Sequence, residues 1–205
     1  MTKYLGFLVF FFGISVAKAG ILIEPYGGYA AGNFNSTMKV TPFTAADANF
    51  SGGIAGGRLG LSFFGLWVAG DYMSFSPSMT VNKPSGVTVS SISNKMAFVD
   101  AGFDFPFLFR FWGGYGVSNY LNYTSSNGTN GFEDTASGGT ATKLGIGFKF
   151  LMFLSVNFEY INPTYKSLSS NKDGVSIYNG DMDARMSEYT APFTVMTLSF
   201  PLTLF

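Results

Sequence analysis

Apolar and polar residues alternate with period two in eight segments of this chain, each about as long as a strand that crosses a bilayer at a tilt. The segments are 21–31, 53–63, 66–75, 95–105, 109–120, 140–150, 153–161 and 193–204. Their connections fall into two classes that alternate strictly. Phe64-Gly65, residues 106–108 and Leu151-Met152 make tight turns. Residues 33–50, 76–94, 121–139 and 162–192 are long, polar and rich in Ser, Asn, Gly and Thr. Short turns on one side and long loops on the other are the signature of a strand-built transmembrane wall.

Composition supports the same solution. The chain is 47% hydrophobic and 18% aromatic, with only 12% charged residues, against about 25% charged in soluble domains. No stretch after residue 20 is apolar for the roughly 20 residues that a membrane helix needs. A barrel resolves this conflict, because lipid touches one side of each strand and the lumen the other. The predicted fold class is therefore all-β, an eight-stranded antiparallel up-and-down transmembrane β-barrel. A soluble β-sandwich is the alternative, but its solvated face would need more charge and fewer glycines.

The first 19 residues are expected to be a secretory signal. Lys3 is followed by an apolar run of about 13 residues and by Ala17-Lys18-Ala19, an A-x-A cleavage site. The barrel then covers residues 20–205. Removing Lys3 and Lys18 from a balanced 12 bases and 12 acids leaves it slightly acidic, which gives no electrostatic case for nucleic acid. With zero Cys and zero His, thiolate chemistry and the commonest general base are absent. No enzyme activity, cofactor or metal is expected. Asp181 and Asp183 with Asp173 were weighed as a calcium cluster against a solvated loop; they lack the spacing of a known calcium loop.

Parity assigns the faces. Outward candidates such as Leu59, Leu61, Val68, Phe111, Leu144, Phe158, Leu198 and Leu202 carry no charge. Tyr29, Tyr72, Tyr115 and Tyr160 lie nearer the long loops, and phenylalanines crowd the tight turns, as in two aromatic girdles. The inward face carries Glu24, Arg58, Asp71, Asp100, Asp104, Arg110, Lys143, Lys149 and Glu159. Centring each hairpin on its tight turn sets Arg58 opposite Asp71 and Asp104 opposite Arg110. With one bulged residue it sets Lys143 opposite Glu159. Opposite charges across an antiparallel pair are favourable neighbours.

Two readings of these charges compete. One is a polar core that fills a narrow barrel, since eight strands leave an interior just wide enough for side chains. The other is a charge-lined conduit. Inward glycines, including Gly56, Gly102, Gly114, Gly145 and Gly147, either leave room for water or accommodate bulky neighbours. Trp67 and Trp112 have inward parity near the tight turns and are expected to plug or rim that mouth.

The leader, the strand rhythm and the terminal segment 194–205 resemble the small outer-membrane β-barrel family, the eight-stranded OmpA, OmpX and OmpW type. The resemblance covers residues 20–205. It implies residence in the outer membrane of a Gram-negative cell, with periplasmic termini and extracellular long loops. Its implied partners are outer-membrane lipid and lipopolysaccharide, with a possible extracellular ligand at the loops. It also implies that the barrel-assembly machinery reads an aromatic C-terminal strand, a role for Phe205. Leu198, Phe200, Leu202 and Leu204 have the opposite parity to Phe205. Either a bulge near Pro201 restores the phase, or Phe200 is the functional end with a tail after it. The resulting expectation is a non-enzymatic structural or surface-interaction protein with a largely side-chain-filled polar lumen. A narrow passive channel for small or hydrophobic solutes, as in the OmpW branch, is the alternative.

Overall fold

A computed structural model describes residues 19–39, 46–83, 87–105, 108–127, 130–151, 153–172, 175–181 and 186–204. The expected leader up to Lys18, and Pro106, Phe107, Met152, Asp173, Asp183 and Phe205, lie outside these residues.

Eight antiparallel staves close into a ring. They are β1 (Gly20–Met38), β2 (Ala46–Phe63), β3 (Leu66–Phe75), β5 (Val87–Asp104), β6 (Phe109–Asn127), β8 (Ala141–Leu151), β9 (Leu154–Pro163) and β13 (Phe193–Ser199). The β6–β8 and β1–β13 ladders complete the circle. Period-two burial follows the expected parity along each stave. Leu59, Leu61, Val68, Leu144, Phe158 and Leu198 all face outward. Without water outside, the backbone can meet its hydrogen-bonding demand only by pairing on both sides, which closure provides.

The last stave continues after a short interruption as β14 (Leu202–Leu204), which also pairs with β1. The register does not change across the gap: Tyr26 faces Ser199 and Ile23 faces Leu202. No bulge restores phase at Pro201, and Leu202–Leu204 is a paired strand rather than a free tail. Phe200 donates its N–H to the Pro25 carbonyl at 3.0 Å. Pro201 breaks the ladder simply because it has no N–H to donate.

The long connections depart from the expected loops. β1 and β2 pair without a bulge from Gly20↔Ser62 to Ser36↔Ala46. Roughly 17 rungs at about 3.3 Å give a ribbon of about 55 Å, far more than a tilted strand needs for an apolar band of about 25 Å. The remaining long segments contain β4 (Ser78–Lys83), β7 (Asn130–Ser137), β10 (Ser167–Lys172), β11 (Val175–Asp181) and β12 (Met186–Thr190). These strands carry few outward apolar residues. Their Ser, Asn and Thr residues therefore show little of the apolar contrast that marked the staves.

Two devices redirect the wall as it leaves the membrane. On β6, Ala97 faces Ser118 while Phe98 faces Gly116, so Val117 is an extra residue. Val117 and Ser118 both point outward, and the parity beyond them reverses to bring Asn119 and Leu121 inside. There β6 exchanges partners, from β8 up to Gly116↔Ala141 to β7 from Tyr120↔Ser137. Gly138 and Gly139, at φ 69° and 77°, turn β7 into β8 in a conformation that favours glycine. Among the described residues, β11 pairs only with β10, β12 only with β1, and β4 only with β2.

Candidate functional site: a charged belt inside the barrel

The lumen has two layers. The half towards the long hairpins is mainly apolar, built from Ile54, Met73, Phe75, Met96, Phe98, Ile161 and Phe193, with Asn94 and Asn119 buried among them. The half towards the tight turns holds the charges. The sequence reading placed all nine charges inside but did not anticipate the apolar layer above them.

Seven of the eight staves each contribute a buried charge to one belt: Glu24, Arg58, Asp71, Asp100, Arg110, Lys143 and Glu159. Arg58 is the hub. Its guanidinium reaches Glu24 at 3.2 Å, Asp71 at 3.2 Å, Asp100 at 3.3 Å, and Glu159. Lys143 bridges Asp71 and Asp100, the latter at 2.6 Å. Arg110 binds Glu24 at 2.6 Å and lies 3.3 Å from Asp104. Asp104 and Lys149 pair with each other at the tight-turn mouth, where each is about a fifth exposed.

Two of the three expected cross-strand pairs are present: Arg58 faces Asp71 and Asp104 faces Arg110. The third is not. Lys143 faces Ile161, and Glu159 faces Gly145. The third hairpin pairs Leu151 with Leu154, so its turn falls one residue later than expected. Phe150 is then bulged between Lys149 and Leu151. One bulged residue was expected here, so the later turn alone moves the register by two residues. Lys143 and Glu159 remain in the belt, but their partners come from across the lumen.

Aromatic donors complete the belt. Trp112 Nε1 donates to Glu159 at 3.0 Å, Trp67 Nε1 to Asp104 at 2.9 Å, and the Tyr26 hydroxyl to Asp71 at 2.7 Å. Arg58 lies 4.7 Å from the Trp112 ring centre, and Arg110 lies 5.1 Å from that of Trp67. Cation–π attraction therefore adds to the ion pairs. The two indoles pack at 6.3 Å and are both buried on the lumen side near the tight turns, where their parity placed them. The glycines make this possible: a Cβ at Gly102 would overlap Trp67, and one at Gly145 would overlap Trp112. Inward glycine is thus the space for a bulky neighbour.

Sequence reasoning missed a second polar cluster. Asn157 donates to Ser199 at 2.8 Å and to Thr197 at 3.3 Å, and Ser155 donates to Asn157 at 2.8 Å. Its signal was the inward parity of small polar residues on two adjacent staves. Phe200 lies on the outer face.

The belt's chemistry is that of a cross-brace. Every carboxylate in it contacts a cation. Glu24 Oε2, Asp100 Oδ1 and Glu159 Oε2 each retain one oxygen without a protein donor. No described group of three or more acidic residues is arranged to hold a metal ion.

The backbone is similar to solved outer-membrane barrels. Neisserial surface protein A shares 11% identity over 89% of this chain and 98% of its own, with a TM-score of 0.51. Ail, the attachment invasion locus protein of Yersinia pestis, shares 9% over 87% and 99%, TM-score 0.51. OprG from Pseudomonas aeruginosa shares 15% over 91% and 98%, TM-score 0.53. At these identities the likeness establishes the fold, that of a small outer-membrane β-barrel. No protein-family model matches the sequence, and no curated protein is similar to it in sequence.

Proposed function

We propose that the chain is a non-enzymatic integral protein of the bacterial outer membrane, with a closed lumen and a strand-built surface above the membrane as its interacting part. The observation that carries this reading is the occupied axis: Arg58, Arg110 and Lys143 are fully buried between the staves, beneath an apolar layer of Met73, Met96, Phe98 and Phe193. An ion would have to break the belt and then cross that layer. In this reading the tight turns and both ends are periplasmic, and the long hairpins are extracellular. Tyr29, Tyr72, Tyr115 and Tyr160 meet outer-leaflet lipid and lipopolysaccharide. The long hairpins are the part of the chain that would meet an extracellular ligand. Phe200 and Phe205 serve recognition by the assembly machinery. Deleting Phe205 should then lower assembly in cells while refolding of the purified protein into vesicles is retained.

One observation favours passage of a small hydrophobic solute through the wall. Where Ala191-Pro192 interrupts the last stave, a cavity of about 580 Å³ opens on the outer wall beside Gly32, Tyr160 and Pro192. A Cβ at Gly32 would come within 2.7 Å of the inner Phe50 ring. The apolar layer therefore approaches the surface there without a charged step.

Single-channel recording of the refolded protein in a planar bilayer tests the closed lumen. A silent bilayer with a folded barrel, shown by a gel shift before boiling, is expected. Discrete openings that change when Glu159 is neutralised would replace this reading with the channel.

A further inference from the structure

The tight-turn rim is apolar to its tips. Phe64, Leu108 and Phe153 are 48%, 45% and 50% exposed. Beside them Leu66, Phe105 and Phe150 also point out of the protein. The rim charges, Asp104 and Lys149, are paired with each other on the lumen side. Phe64 adopts φ 53°, a left-handed conformation that is strained for a bulky residue. Its ring packs edge-on against Phe63, with a 4.3 Å centroid separation. An Asn or Gly would make the same two-residue turn more easily. About half of the strained residue stays exposed.

Wall height points the same way. On β3 the outward apolar residues run from Leu66 to Tyr72, and the next outward position is Ser74. Six residues at about 3.3 Å, tilted by about 45°, give roughly 15 Å of height. An outer-membrane band is about 25 Å tall. On β3 the polar Ser74 and Ser76 bound the band above, so on this stave the missing height comes from the turn below. The turn backbone is prepared for such a place. Asp104 N–H donates to the Gly65 carbonyl at 2.7 Å, Lys149 N–H to the Leu108 carbonyl at 2.7 Å, and Phe105 N–H to the Phe109 carbonyl at 2.8 Å. These ladder-end bonds leave fewer turn carbonyls in need of water, which a place in hydrocarbon requires.

We infer that the tight turns bind the acyl chains of the inner leaflet, so that the barrel ends inside the membrane rather than projecting into the periplasm. This rests on the membrane-spanning reading above, and the test separates the two. The chain has no Cys, so single-cysteine variants Phe64→Cys, Leu108→Cys, Val68→Cys and Ser76→Cys are clean sites for a nitrobenzoxadiazole probe. Each is refolded into phosphatidylcholine vesicles, with folding checked by gel shift. Quenching by a spin-labelled lipid is compared with quenching by aqueous cobalt present on both sides. The turn positions should match mid-wall Val68→Cys, with blue-shifted emission and lipid quenching dominant. Ser76→Cys should show the reverse. Turn positions that behave like Ser76→Cys while Val68→Cys stays shielded would overturn the inference and leave the membrane-spanning reading intact. An aqueous Val68→Cys would sink both. Turn probes that are aqueous in vesicles but shielded in intact outer membranes would also overturn it, since a protein then covers the rim.

Discussion

Replacing Arg58 by Met tests whether the belt is dry. Methionine keeps much of the length and the packing against Tyr26 and Trp112 while removing the charge. Arg58 contacts four buried carboxylates from four staves. In its absence Glu24 keeps Arg110, and Asp71 and Asp100 share Lys143. Glu159 keeps only the Trp112 hydrogen bond. Four inner acids then face two inner cations. Removing one partner of a buried ion pair costs about 3–5 kcal/mol, because the other charge is left uncompensated. That amounts to roughly two to four powers of ten in the folding equilibrium. The assay is urea unfolding of the vesicle-refolded barrel followed by tryptophan fluorescence, since the only two tryptophans line the belt. Adding Glu159→Gln to Arg58→Met should recover about 1–2 kcal/mol, as neutralising the orphaned acid removes part of its desolvation penalty. A loss below about 0.5 kcal/mol for Arg58→Met would refute the reasoning. Such a value belongs to charges screened by water, and the lumen would then be hydrated through the belt.

Further expectations concern space and pH. Gly145→Ala should destabilise the barrel by about 1–3 kcal/mol, because the new methyl overlaps the Trp112 indole. Gly53→Ala, with nothing within 4 Å of its Cβ, should fall within about 1 kcal/mol of the parent in the same urea titration. Burial holds the Asp134 carboxyl above the usual carboxylate range, against the lowering effect of hydrogen bonds from Ser170 and Tyr123. The folded state therefore favours the protonated form. Its contribution to the β6–β7–β10 extension is fully present below the unfolded carboxylate pKa of about 3.9 and is lost as pH rises through the folded value. Asp134→Asn should flatten that dependence, read as amide exchange on β7 and β10 between acid and neutral pH.

The staves were legible because lipid imposes contrast. A strand with hydrocarbon on one side cannot place a charge there, so Leu59, Leu61 and Val68 stand out against Arg58, Gly60 and Trp67. Turn centres then yielded the Arg58–Asp71 and Asp104–Arg110 registers directly. The third hairpin failed because its turn lies one residue later than the centre assumed, which moves the pairing by two residues, while the single bulge was as expected. Nothing in the apolar run from Phe150 to Leu154 marks which two residues make the turn. The strands of the long connections were hidden for the opposite reason. Where few outward residues are apolar, Ser, Asn and Thr on β7 and β10 satisfy strand and loop patterns equally well.

The apolar upper lumen was legible in principle. Phe75 and Met73 have the same inward parity as Asp71, and Phe98 and Met96 the same as Asp100. Treating the inward face as uniformly polar concealed them. Their position explains why the belt can be so highly charged. A layer of Phe and Met above and the Trp67–Trp112 pair below limit the access of water to the belt from either end. In the resulting low dielectric each ion pair is strong and each unpaired charge costly, so the charges must be nearly balanced and their partners must come from around the whole ring. Arg58 meets this demand by reaching acids on β1, β3, β5 and β9. Such cross-bracing ties non-adjacent staves together in a way that ladders between neighbours cannot. The same arrangement therefore holds the ring in shape at the level of the belt.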